Sequence, residues 1–105
     1  MPIVDTTQPI TAARCDAYIL QIVEAYPFCR TEVITETAFS RPVRTLVIGN
    51  GPRKVVYSAA HHANEWITSL LLLKFAEEFA QAIRENRQIL GQNAADIAAA
   101  ATIYM

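Results

Sequence analysis

Apolar residues at Tyr18, Ile19, Ile22 and Val23 recur at helical spacing between Thr11 and Pro27. The pattern predicts a helix over 12–25, with Thr11 as its N-cap and Pro27 ending it. Pro2 and Pro9 predict an irregular lead-in before it. "TEVITET", residues 31–37, sets β-branched residues among polar ones and predicts an edge or half-buried strand. Two apolar runs follow, 45–48 and 55–59, separated by Gly49-Asn50-Gly51-Pro52, which is hairpin or tight-turn chemistry. The second run is apolar on both faces, which predicts a central strand covered from both sides.

From Trp66 to about Arg87 the pattern is helical again. Leu72, Ala76, Phe79 and Ile83 form one stripe, while Lys74, Glu78, Gln81 and Glu85 face elsewhere. The first two turns are apolar nearly all round, so that end is expected to be buried. The glutamates of "FAEEFAQAIRE" are expected on the solvated face. Gly91 breaks the pattern, and "NAADIAAAATIYM" reads either as one short helix or as a helix turn followed by a strand starting near Thr102. The order predicts one α/β domain over 1–105. It would be built on a mixed sheet of three to four strands with helices on both faces, the 12–25 and 66–87 helices on opposite ones. No internal repeat or linker interrupts it.

Composition adds one constraint. Charged residues make up 18% of the chain and hydrophobic residues 52%, against a usual charged share of about 25%. The shortage implies apolar surface covered by something beyond the chain, a partner or a missing segment; self-association through an exposed sheet edge and apolar surface is one expected outcome. A net charge of -1 with scattered basic residues gives no footprint for nucleic acid or an anionic membrane. The longest apolar run is too short to span a bilayer. No basic-then-apolar leader opens the chain, so a cytoplasmic location is expected. Cys15 and Cys29 are too far apart for a C-x-x-C motif and are expected as free, partly buried thiols.

The chemistry gathers in "SAAHHANEWITS", residues 58–69, between the second apolar run and the long helix. His62 and Glu65 are three apart across a strand-to-helix junction, where an imidazole and a carboxylate can converge on a divalent metal. Nitrogen and oxygen donors suit zinc in an open, catalytic geometry better than a closed structural one. His61 and Glu65, four apart, form a competing pair, but His61 leaves the strand on the opposite face from His62. The same residues also admit a purely structural reading, with Asn64 as N-cap and Glu65 complementing the helix dipole. The position of the stretch, at the carboxyl end of a strand in an α/β sheet, is where functional sites collect.

"SAAHHANEWITSLLLLKFAEEF" resembles the zinc-ligand segment of the zinc carboxypeptidase family, the carboxypeptidase A type. It is most similar to the bacterial branch that cleaves γ-D-glutamyl-diaminopimelate bonds in cell-wall peptides. There an H-x-x-E-W stretch follows a central strand and opens a long helix, and its His and Glu bind zinc. The resemblance maps these onto His62 and Glu65, with Trp66 matching the tryptophan. Asn64 stands where the digestive enzymes carry a substrate-binding arginine. "AYP" at 25–27, "FSRPVRTLVIGNG" and the terminal "TIYM" are similar to further family segments, though Glu36, Ala38 and Phe39 stand where glycines usually flank the serine.

The resemblance covers nearly the whole chain and only the N-terminal third of the family's catalytic domain. It implies a fragment of a zinc-dependent metallopeptidase carrying two of three zinc ligands. The third ligand, the substrate-holding arginines and asparagine and the general-base glutamate would lie downstream, leaving this chain inactive alone. The alternative from another class is a non-catalytic oligomerising or binding module derived from the fold.

Overall fold

The computed structural model describes residues 2–40, 42–60 and 65–105. Helix α1 spans Ala12–Ala25, as its spacing predicts. The Thr11 hydroxyl accepts from the Arg14 N–H at 3.1 Å, satisfying one of the orphan donors of the first turn. Strands β1 (Arg30–Glu36) and β2 (Pro42–Gly49) pair antiparallel, with a register shift between Val33 and Thr35. Then come β3 (Arg53–Val56) and α2 (Trp66–Arg84). A small hairpin, β4 (Gln88–Ile89) with β5 (Gln92–Asn93), turns at Leu90-Gly91. Helix α3 (Ala94–Ala100) runs directly into β6 (Ala101–Tyr104), the helix-then-strand form of the C-terminal alternatives.

The four-stranded sheet has the order β1-β2-β6-β3 and is mixed, as expected: β6 is antiparallel to β2 and parallel to β3. Gly49–Pro52, whose chemistry admits a hairpin or a tight turn, does not close a hairpin, because β6 lies between β2 and β3. Its glycines are needed for a different reason. A Cβ on Gly51 would stand 2.1 Å from the backbone of Ala100 and Ala101, and Gly49 has φ +101 with its own Cβ direction blocked by Ala101 O. The turn therefore admits the α3–β6 junction against bare backbone.

The 55–59 run is not the central strand either. Strand β3 ends at Val56, lies at the sheet edge among the described residues, and leaves Val56 73% exposed. Parallel pairing with β6 satisfies one side of β3 only, and the interior place goes to Ala101–Tyr104, whose first three residues are buried.

One hydrophobic cluster joins Tyr18, Ile19 and Ile22 of α1, Leu73, Ala76 and Phe79 of α2, and Leu46, Ile48 and Ile103 of the sheet. Full burial of Ile22 and Phe79 contributes about 1.5–3 kcal/mol each. Leu46 and Ile48 are two apart on β2 and so share a face. Since α1 and α2 contact each other and share that cluster, they pack side by side, not on opposite faces of the sheet. The start of α2 also departs from expectation: Ile67 is 55% and Leu71 71% exposed, because only Leu70 and Leu73 turn toward the cluster.

Two polar ties fix the helices. Glu77, expected on a solvated face, is buried, and its carboxylate accepts from the N–H groups of Ile3 and Val4. It binds the lead-in to α2 and seats Val4 in the core. Arg84, at the end of α2, donates to the Ala25 carbonyl and stacks over the Tyr26 ring at 4.1 Å. Both cysteines are free, Cys29 buried and Cys15 partly so. Burial pushes the Cys29 thiol up to about 12. No helix among the described residues is long and apolar enough to cross a membrane.

Candidate functional site

The chain leaves β3 still paired, with the Tyr57 N–H donating to the Tyr104 carbonyl at 2.8 Å. It then passes through Ser58 and Ala59 to Ala60, which adopts φ +55, the left-handed region that residues with a Cβ rarely enter. At the other end of the ligand-bearing stretch, Glu65 is the cap residue of α2 with φ −100 and ψ 27. His61, His62 and Asn64 lie outside the described residues, so the pairing of His62 with Glu65, the turning away of His61 and the cap role of Asn64 are sequence expectations on which the geometry does not bear.

Glu65 itself is described, at the start of α2. An acidic cap residue ordinarily accepts from an N–H of the first turn. The Glu65 side chain makes no such bond, and among the described residues it has no hydrogen bond or ion pair. It is exposed. The carboxylate is therefore uncommitted to the helix, although α2 starts at this residue. Its backbone carbonyl is committed: the Thr68 hydroxyl donates to it at 2.7 Å. The same hydroxyl accepts from the Ala60 N–H at 2.7 Å. Motif spacing gave no hint of Thr68, since a threonine in a first helical turn carries no periodic signal.

Beside this junction lies an apolar hollow of about 530 Å³. Tyr57, Ser58 and Ala59 from the chain leaving β3, Leu72 and Leu73 from α2, and Tyr104 from β6 contribute to its walls. The junction thus sits at the carboxyl ends of two parallel strands, β3 and β6, next to concave surface.

An imidazole nitrogen from His62 and a carboxylate oxygen from Glu65 are donors of the kind that catalytic zinc takes, and the exposed Glu65 carboxylate, unpartnered among the described residues, fits that use. No group of three His, Cys, Asp or Glu able to hold a metal forms among the described residues. The only histidines in the chain are His61 and His62.

Comparison with known proteins bears on the same stretch. The family model for zinc carboxypeptidases matches residues 15–97. A γ-D-glutamyl-L-diamino acid endopeptidase from Lysinibacillus sphaericus is 33% identical over 73 residues, which is 70% of this chain and 18% of that protein. The uncharacterized protein YqgT of Bacillus subtilis is 33% identical over 75 residues, 70% of this chain and 20% of its own length. The chain thus spans about a fifth of the curated relatives it matches. Among solved structures, thrombin activatable fibrinolysis inhibitor matches with a TM-score of 0.80 at 15% identity, covering 99% of this chain and 27% of that one. That likeness shows the shared fold. With the family model spanning the helix–sheet core and the H-x-x-E-W stretch together, the chain belongs to the zinc carboxypeptidase family.

Proposed function

We propose that this chain carries the zinc-ligand segment of a metallopeptidase, with His62 and Glu65 as two of three protein ligands. The substrates proposed are peptide bonds, and more narrowly the γ-D-glutamyl-diaminopimelate bonds of cell-wall peptides. The observation that supports this reading is the exposed Glu65 carboxylate, which makes no capping bond to α2 and has no partner among the described residues. The narrower substrate class is supported by the relative from L. sphaericus, whose name gives it a γ-D-glutamyl-L-diamino acid bond to cleave. Zinc held in such a site supplies a Lewis acid for the scissile carbonyl and for water. Glu65 and His62 would hold the ion, and Glu65 opens α2, whose Leu72 and Leu73 line the apolar hollow where a peptide side chain could rest.

Neither residue can act as base while holding metal, and residues 66–105 contain no histidine. The third ligand and the base come from outside this chain, so the chain alone is inactive. The test is a chimera in which residues of this chain replace the matched stretch of the L. sphaericus endopeptidase. Zinc-dependent cleavage that disappears in His62→Ala and in Glu65→Ala is expected. A folded chimera that takes up no zinc would overturn the reading, and so would turnover by the isolated chain that survives His62→Ala.

Self-association with a second copy belongs to the same proposal. Strand β3 offers an open edge, and Val56 and Leu71 are 73% and 71% exposed. Sedimentation is expected to show a dimer, and a monomer at high concentration would contradict it.

A further inference from the structure

Thr68 has an arrangement that the metallopeptidase reading does not by itself supply, and the inference drawn from it rests on that reading. Its hydroxyl gives its one proton to the Glu65 carbonyl and receives the Ala60 N–H, both at 2.7 Å. A threonine near a helix start often bonds back to a carbonyl of the preceding turn. That habit explains the bond to Glu65 and leaves the second bond unexplained, because Ala60 is eight residues back, on the chain leaving β3.

Ala60 and Glu65 flank residues 61–64, which include His62. One oxygen atom bonded to both flanks fixes their separation and refers both to the first turn of α2. Ala60 also holds φ +55, a conformation disfavoured for a residue with a Cβ.

We infer that Thr68 is a positioning residue for the metal ligands. It sets the approach of the chain from β3 to the Glu65 carboxylate before metal arrives. Less ordering is then left to accompany binding, which is how preorganisation raises affinity. Thr68 touches neither metal nor substrate. Its effect passes through the backbone of Glu65 and of Ala60, as groups behind metal ligands commonly act.

The test compares the full chain with Thr68→Val, which removes the hydroxyl at nearly equal volume, and Thr68→Ser, which keeps it. Zinc affinity is read by calorimetric titration and amide hydrogen exchange at Ala60 by NMR, with far-UV circular dichroism confirming the fold. Thr68→Val is expected to weaken zinc about tenfold and to accelerate Ala60 exchange, while Thr68→Ser restores both. Thr68→Ala takes the place of Thr68→Val if the valine variant does not fold. Wild-type zinc affinity in the hydroxyl-free variants overturns this inference alone, as does a serine variant no better than valine. A folded chimera with the L. sphaericus endopeptidase that shows no His62-dependent zinc uptake overturns the metallopeptidase reading and this inference with it.

Discussion

Gly51→Ala is the substitution for which the fold makes its sharpest demand. The added Cβ would lie 2.1 Å from both the Ala100 carbonyl carbon and the Ala101 nitrogen, and 2.5 Å from the Ala100 oxygen. All three are backbone atoms at the α3–β6 junction and cannot swing aside as a side-chain tip could. Relief requires the turn to withdraw by about 1 Å or more, since even tight carbon contacts stay above about 3 Å. Withdrawal strains two bonds at once. The Gly51 N–H donates to the Ala101 carbonyl at 3.2 Å, and the Gly51 carbonyl accepts from the buried Thr102 hydroxyl at 2.7 Å. Overpacking costs about 1–3 kcal/mol, and stranding a buried hydroxyl costs about 1–3 more. The sum of about 2–6 kcal/mol is a large part of the total stability of a domain this size, on the order of 5–15 kcal/mol. Urea denaturation followed by circular dichroism measures it, read as a fall in midpoint at constant slope. Gly91→Ala is the comparison. Its Cβ meets nothing within 4 Å, but φ is +80, so only the left-handed backbone resists, at about 1–2 kcal/mol. A Gly51→Ala variant costing no more than Gly91→Ala would refute the close approach of the junction to the turn.

Other residues give independent checks. Glu77→Ala leaves the Ile3 and Val4 N–H groups without their acceptor and is expected to cost about 2–4 kcal/mol. Glu77→Gln, which keeps one oxygen, should cost less, and equal melting of all three proteins would remove the tie. Arg84→Met removes the bond to the Ala25 carbonyl and the stacking over Tyr26. A loss of about 1–2 kcal/mol in thermal denaturation is expected, and an unchanged midpoint would contradict it. Cys29, with its thiol pushed up to about 12 by burial, should alkylate at pH 8 about 1,000-fold more slowly than an unhindered thiol, because only the thiolate reacts. Labelling followed by mass spectrometry reads this, and Cys29 modified as fast as a free thiol would show that it is not buried.

Local signals were legible and non-local pairing was not. The Thr11 cap and the apolar spacing of α1 act within a few residues, and the helix appears over Ala12–Ala25 as expected. Gly49-Asn50-Gly51-Pro52 carries genuine turn chemistry, yet nothing in those residues states that Ala101–Tyr104 will enter between the strands they join. The apolarity of residues 55–59 is likewise real, but an apolar run does not distinguish an interior strand from an edge. In the structure it leaves Val56 and Tyr57 exposed at an edge. Glu77 sat among charged residues and so looked solvated. Its burial depends on a lead-in more than seventy residues away, which no helical pattern encodes. The H-x-x-E-W motif marks Glu65 as a candidate from sequence, whereas Thr68 acquires meaning only once Ala60 and Glu65 are brought together in space.

The most direct measurement of the central claim is anomalous diffraction at the zinc edge from crystals of this chain soaked in zinc. The account predicts one ion at about 2.0–2.2 Å from a His62 ring nitrogen and a Glu65 carboxylate oxygen, with His61 taking no part and the peak absent in Glu65→Ala. Zinc held by His61 without His62, or a peak that persists in Glu65→Ala, would contradict it.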